Sequence, residues 1–78
     1  MQIDVEEARR IALGSLSKDK PSSRNISIDS IELVAGMWFV SVSYSIQETI
    51  WDYKITIHAE TGEVMSANHE FRTGITPV

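Results

Sequence analysis

The sequence predicts an α+β domain in which one N-terminal helix packs on a four-stranded antiparallel meander sheet. Two patterns support this fold class. Apolar residues recur at helical spacing near the N-terminus, and from residue 26 onward they alternate with polar residues in successive runs separated by turn residues. The 78 residues are enough for one domain, residues 1–78, with a thin core and modest stability.

The first element is a helix that covers about residues 4–17. Asp4 can cap its free amides, while Glu6 and Glu7 lie at the positive end of the helix dipole. Pro21 and the serine-rich segment after it predict a loop. One apolar face is formed by Val5, Ala8, Ile11, Ala12 and Leu16.

Four strands come after the helix. Apolar positions in the first strand change phase, and a β-bulge near Asp29 would keep them on one face. Ala35 and Gly36 form a short hairpin loop before the second strand. The strands cover about residues 26–34, 37–46, 50–59 and 63–71, and residues 72–78 are predicted to form a loose tail.

The alternation also predicts how the second and third strands pair, because a slip of one residue would turn a strand inside out. A four-residue loop over residues 47–50 places Tyr44 opposite Tyr53, so that apolar residues meet apolar partners. The side chains expected to be buried under the helix are Trp38, Trp51, Ile55 and Ile57.

The last hairpin contains a glycine where the chain must reverse. A three-residue loop that ends at Gly62 lets this glycine adopt the left-handed conformation of a bulged turn. The resulting register places Ile57 opposite Met65 and keeps Ser66 away from the apolar face, where a polar side chain would be costly to bury.

The composition excludes several function classes. Eleven acidic residues against seven basic ones give a formal net charge of −4, which disfavours non-specific nucleic-acid binding. The chain has no cysteine, so neither a disulfide framework nor a thiolate metal site can form. No apolar run approaches the length of a transmembrane helix. We therefore expect no nucleic-acid partner, no membrane insertion and no cofactor.

The residues before the helix bear on the cellular location, and the distribution of basic residues bears on the surface charge. No basic and apolar signal-peptide regions precede the helix, so we expect a cytoplasmic chain as it stands, or an extracytoplasmic one if it is a domain cut from a longer protein. The basic residues are scattered, except for Arg9-Arg10 on the helix and a group around one loop, Lys18, Lys20 and Arg24.

The order of these segments resembles the PepSY family, which comprises small domains of metallopeptidase propeptides and of regulatory or cell-envelope proteins. The resemblance spans residues 4 to about 70, and His58 stands where the family usually has Asp. The segments that carry it are the alanine-containing helix 5–12, the strand end 31–33, the aromatic-led strand 38–42 and the strand and turn 55–64.

The resemblance implies a domain that modulates peptidases, by inhibition or by assisting their folding, and it implies no catalytic residues. The sequence agrees that this is not an enzyme. His58 and His69 should lie on opposite faces of the sheet, so they cannot share a metal. Asp52 and Glu70 should be cross-strand neighbours on the exposed face, but no concave pocket is expected there for acid–base chemistry.

The sheet face turned away from the helix offers a different kind of site. It should carry mainly polar residues, which is normal for an antiparallel sheet that faces water. Phe39, His58 and Val64 break this pattern as a small cluster, which we predict to be a protein contact. The predicted function is a binding or regulatory module for a peptidase or envelope protein, through this face or an edge strand; the alternative is a structural domain that homodimerises without a client.

Overall fold

The computed structural model describes residues 2–74. It contains one helix packed against a four-stranded antiparallel sheet with strand order β1-β2-β3-β4, so the predicted α+β fold class is confirmed. The elements are α1 (Val5–Asp19), β1 (Arg24–Val34), β2 (Met37–Ile46), β3 (Thr49–His58) and β4 (Val64–Gly74).

Helix α1 is capped at its N-terminus by the predicted residue, and it ends at Asp19, two residues beyond the predicted end near residue 17. The Asp4 side chain accepts a hydrogen bond of 2.8 Å from the backbone N–H of Glu7, which caps the first turn. At the other end, the Lys20 backbone N–H donates to the carbonyl of Leu16 at 2.8 Å, and Pro21 cannot continue the helix.

The core lies between α1 and the two central strands. Ala8, Ala12 and Leu16 are the fully buried residues of the helix, and the small alanines let it approach the sheet closely. Trp38 and Trp51 are only partly buried, so the prediction that both lie in the core is wrong. The sheet residues that are buried in the core under the helix are Val40, Val42, Tyr44, Tyr53, Ile55 and Ile57.

The register of β2 and β3 differs from the predicted one by two residues. Tyr44 lies opposite Trp51, and Val42 lies opposite Tyr53. The reason is the turn, which contains only Gln47 and Glu48 because Gln47 adopts a positive φ of 56°. A shift by an even number leaves every side chain on its predicted face.

This shorter turn also changes the end of the sheet. β3 begins at Thr49, which pairs with Gly74 of β4. The predicted tail is therefore wrong for residues 72–74, which belong to the strand, while residues 75–78 lie outside the described residues.

Both edge strands contain bulges. In β1 the extra residue is Asp29, between the pairs Ile28–Val42 and Ser30–Ser41, which confirms the predicted bulge. A second irregularity in β1 comes after Arg24, where Asn25 has a positive φ of 53°. The bulged residues of β4 are Met65 and Arg72.

The last hairpin combines a longer loop with a bulge. Gly62 has a φ of 76°, and its N–H donates to the carbonyl of His58 at 2.8 Å, so the loop is one residue longer than predicted. Ile57 consequently lies opposite Val64 instead of Met65. The extra residue Met65 then restores the predicted register beyond it, and Ser66 stays on the exposed face.

Candidate functional site

The face of the sheet opposite α1, here called the open face, is uncovered by other elements of residues 2–74. Phe39 lies on it opposite Thr56 and keeps 45% of its surface exposed. Beside Phe39 is a shallow depression of about 270 Å³, which Glu32 and Lys54 also border. A large exposed aromatic ring beside a depression is a suitable anchor for a protein contact.

His58 lies on the same face at the end of β3. It is opposite Met37, two residues before Phe39 on β2, so the imidazole and the Phe39 ring are diagonal neighbours. The Glu60 backbone N–H donates to the Nδ1 atom of His58 at 3.2 Å, which orients the ring. The structure thus places Phe39 and His58 together, as predicted.

Val64 does not join them. It lies opposite Ile57, whose side chain is fully buried on the helix-covered face, and directly opposite residues share a face. The predicted position of Val64 on the open face is therefore wrong. The physical reason is the combination of the longer loop and the bulge at Met65, which inverts the alternation over these residues.

Two residues that sequence reasoning missed complete the cluster. Val34 and Met37 pair across the tight turn formed by Ala35 and Gly36, and Val34 is 51% exposed. The signal was present in the sequence, because strand alternation places Met37 on the same face as Phe39. We call Val34, Met37, Phe39 and His58 the apolar end of the open face.

The opposite end of the open face is charged. Arg72 reaches across the sheet from its bulge, and its guanidinium donates to the carboxylates of Asp52, at 3.0 Å from Nε, and of Asp29, at 3.1 Å from Nη2. These hydrogen bonds raise the pKa of Arg72 above its ordinary value. The bulges at Asp29 and Arg72 thus bring opposite charges together from two edge strands.

The carboxylates of Asp52 and Glu70 are cross-strand neighbours, as predicted. Each has a cation of its own: Asp52 contacts Arg72, and Glu70 lies 3.6 Å from the Nζ atom of Lys54. The two carboxylates therefore belong to two separate ion pairs.

His69 links β4 to the end of α1. Its ring stacks on Tyr53 at 4.5 Å, its Nδ1 lies 2.7 Å from the Tyr44 hydroxyl, and its Nε2 lies 3.4 Å from the carboxylate of Asp19. This Asp–His–Tyr series resembles a catalytic relay. However, burial raises the pKa of the Tyr44 hydroxyl, and Tyr44 is only 1% exposed, so the hydroxyl stays protonated and out of a substrate's reach.

His58 and His69 lie on opposite faces of the sheet. Over residues 2–74, no three His, Asp or Glu side chains come close enough to hold a metal ion. In the same part of the chain, the helix is neither long enough nor apolar enough to cross a membrane.

Comparison of the chain with protein-family models, with curated proteins and with solved structures finds no match. The resemblance to the PepSY family therefore stays a prediction.

Proposed function

We propose that this chain is a non-enzymatic binding or regulatory module that contacts a peptidase or an envelope protein through the apolar end of the open face. The observation that carries the proposal is the exposure of Phe39 and Val34 on one hairpin, with Met37 and His58 beside them. A contiguous exposed apolar patch with a polar surround is typical of a protein contact.

The polar residues around the apolar end are acidic. Glu32 lies opposite Phe39, and Glu60 and Glu63 belong to the loop that carries His58. A partner surface with an apolar side chain flanked by lysine or arginine would complement this arrangement.

The edge strands are weaker candidates for the contact. Strand addition needs a straight row of unpaired backbone groups. Both edges are interrupted, at Asn25 and Asp29 in β1 and at Met65 and Arg72 in β4. Bulges of this kind commonly protect edges from pairing, so the face is favoured over the edges.

The proposal is tested by photo-crosslinking from two matched positions in the native host. A photoreactive phenylalanine analogue replaces Phe39 in one variant and Phe71 in another; Phe71 is also an exposed aromatic residue but packs beside Trp51, across the sheet from the open face. We expect a specific protein adduct from position 39 only. Adducts from position 71 alone, or from neither position, would contradict the proposal.

The identity of the adduct separates the two candidate functions. A peptidase or an envelope protein supports a regulatory module, and for a peptidase the purified domain should change the enzyme's activity or its refolding yield. The Phe39→Glu variant should lack this effect. An adduct between two copies of this chain would instead support the structural homodimer, for which the same exposed residues would form the interface.

A further inference from the structure

A separate cleft lies at the end of the sheet far from the apolar end, between the C-terminus of α1 and the β2–β3 turn. Its volume is about 220 Å³, and we call it the C-cap cleft. An enclosed apolar cavity of about 150 Å³ is enough to bind benzene, so this cleft can accept one aromatic ring with a short substituent. Its lining consists of Lys20, Tyr44, Ile46, Gln47, Thr49 and Trp51.

The aromatic walls of the cleft are held in place from outside. Tyr44 and Trp51 are directly opposite each other on β2 and β3. The Trp51 ring packs edge-to-face on Phe71 with 5.7 Å between the ring centres, and the Tyr44 hydroxyl is fixed by His69 at 2.7 Å. Walls fixed in this way need little rearrangement when a ligand enters, which favours binding.

The mouth of the cleft carries a positive charge. Lys20 lines it, and within residues 2–74 no carboxylate lies within 4.0 Å of its ammonium group. The neighbouring carboxylate of Asp19 is turned to His69. Asp19 and Glu48 are next to lining residues along the chain, and Lys20 is the one cationic residue in the lining that residues 2–74 give the cleft.

We propose that the C-cap cleft binds an aromatic ring that carries a carboxylate on a short linker. The ring would lie against Ile46 and Trp51, the partly exposed apolar side chains of the lining, and the carboxylate would pair with Lys20. Gln47 and Thr49 supply further hydrogen-bonding groups at the rim. Such a ligand is either a free aryl carboxylic acid or the C-terminal aromatic residue of a peptide. This proposal is independent of the one for the open face.

The two tryptophans provide an internal control for the test. Trp51 lines the cleft, whereas the Nε1 atom of Trp38 donates to the carbonyl of Ile3 at 3.2 Å, at the other end of the sheet. The ¹⁵N-labelled protein is titrated with 3-phenylpropionate and, separately, with 3-phenylpropionamide. We expect the acid to shift the indole signal of Trp51 and not that of Trp38, with a dissociation constant on the order of a millimolar for so small a ligand.

Two lysine variants test the charge. Lys20→Gln should weaken binding of the acid roughly threefold to fivefold, the size expected for an exposed ion pair, and leave binding of the amide unchanged. Lys18→Gln, in the last turn of α1 but outside the lining, should bind both as the wild type does. Equal binding of the acid by wild type and Lys20→Gln, or an unmoved Trp51 signal, would overturn the proposal.

A third ligand identifies the source of the carboxylate. The peptide N-acetyl-Gly-Gly-Phe with a free C-terminus is compared with its C-terminal amide. Tighter binding of the free peptide than of 3-phenylpropionate assigns the cleft to protein C-termini, and weaker binding assigns it to small acids. Binding of the peptide amide as tight as that of the free peptide would overturn the carboxylate requirement.

Discussion

The centre of the helix-covered face is closed by side chains of its own chain, whereas the apolar end of the open face is covered by nothing in residues 2–74. On the covered face, Tyr44 and Tyr53 are buried with their hydroxyls paired to His69 and Ser15. On the open face, Phe39 remains 45% exposed. Because side chains alternate along a strand, β2 contributes to both faces, and adjacent residues serve different purposes.

The open face also has one end whose side chains are paired within the chain and one end whose side chains are exposed. At its charged end, Arg72 satisfies Asp52 and Asp29, so these groups have their partners within the chain. At the apolar end, Val34 and Phe39 have no such cover. The comparison indicates that the covered face determines stability and that the apolar end is available for association.

The largest expected effect comes from a substitution on the covered face. Ile55 is 1% exposed, and Ile55→Ala should lower the free energy of unfolding by about 2–5 kcal/mol, through lost burial and the cavity left behind. This is comparable to the whole stability of so small a domain. Thr56→Ala, one residue further and on the open face, should change it by less than about 0.5 kcal/mol. Urea unfolding measures both, and equal losses would contradict the assignment of faces.

A second effect appears at alkaline pH. Burial raises the pKa values of the Tyr44 and Tyr53 hydroxyls in the folded state. The two tyrosines are therefore harder to ionise when folded, so stability should be constant below about pH 10 and fall above it, by up to about 1.4 kcal/mol per pH unit for each residue. Unfolding curves between pH 8 and pH 11.5 measure this slope. The Tyr44→Phe variant should show a shallower decline, and an unchanged slope would exclude a contribution from Tyr44.

A smaller pair of effects concerns two glycines. Gly62 has a φ of 76° in the hairpin that carries His58, so Gly62→Ala should destabilise the fold by about 1 kcal/mol. Gly14 lies exposed in α1, where an added Cβ meets nothing within 4 Å, and Gly14→Ala should stabilise by about 0.5–1 kcal/mol. Thermal melting should show opposite shifts. Stabilisation by both variants would mean that the left-handed conformation of Gly62 costs alanine nothing, and destabilisation by both would contradict the prediction for Gly14.

The sequence predicts the faces better than the turns. The residues of β2 and β3 lie on the faces that strand alternation assigns, and the bulge at Asp29 is expected from the phase change in β1. The β2–β3 turn was predicted two residues too long because Gln47 adopts a positive φ, which is uncommon for a residue other than glycine. Local propensity gave no signal for this conformation.

The sequence predicts the positions of two of the three candidate site residues, because alternation is reliable in regular strands and not at turns and bulges. Phe39 and His58 lie in regular strand segments, where alternation determines the face. Val64 lies directly beside a bulge, and alternation fails there because an extra residue reverses the facing of its neighbours along the strand. The C-cap cleft was not predicted at all, since it depends on packing between the helix end and a turn whose length the sequence does not reveal.

The central claim is that the apolar end binds a partner and contributes little to folding. The most direct test measures association and stability on one variant, Phe39→Glu, with Phe71→Glu as the matched control. Sedimentation velocity with the crosslinked partner, or with the chain alone if it self-associates, gives the dissociation constant, and urea unfolding gives the stability. We predict at least tenfold weaker association for Phe39→Glu with the free energy of unfolding within about 0.5 kcal/mol of wild type, and unchanged association for Phe71→Glu. If Phe39→Glu associates as tightly as the wild type, the result would contradict this claim. Loss of association only because the variant unfolds would contradict it as well.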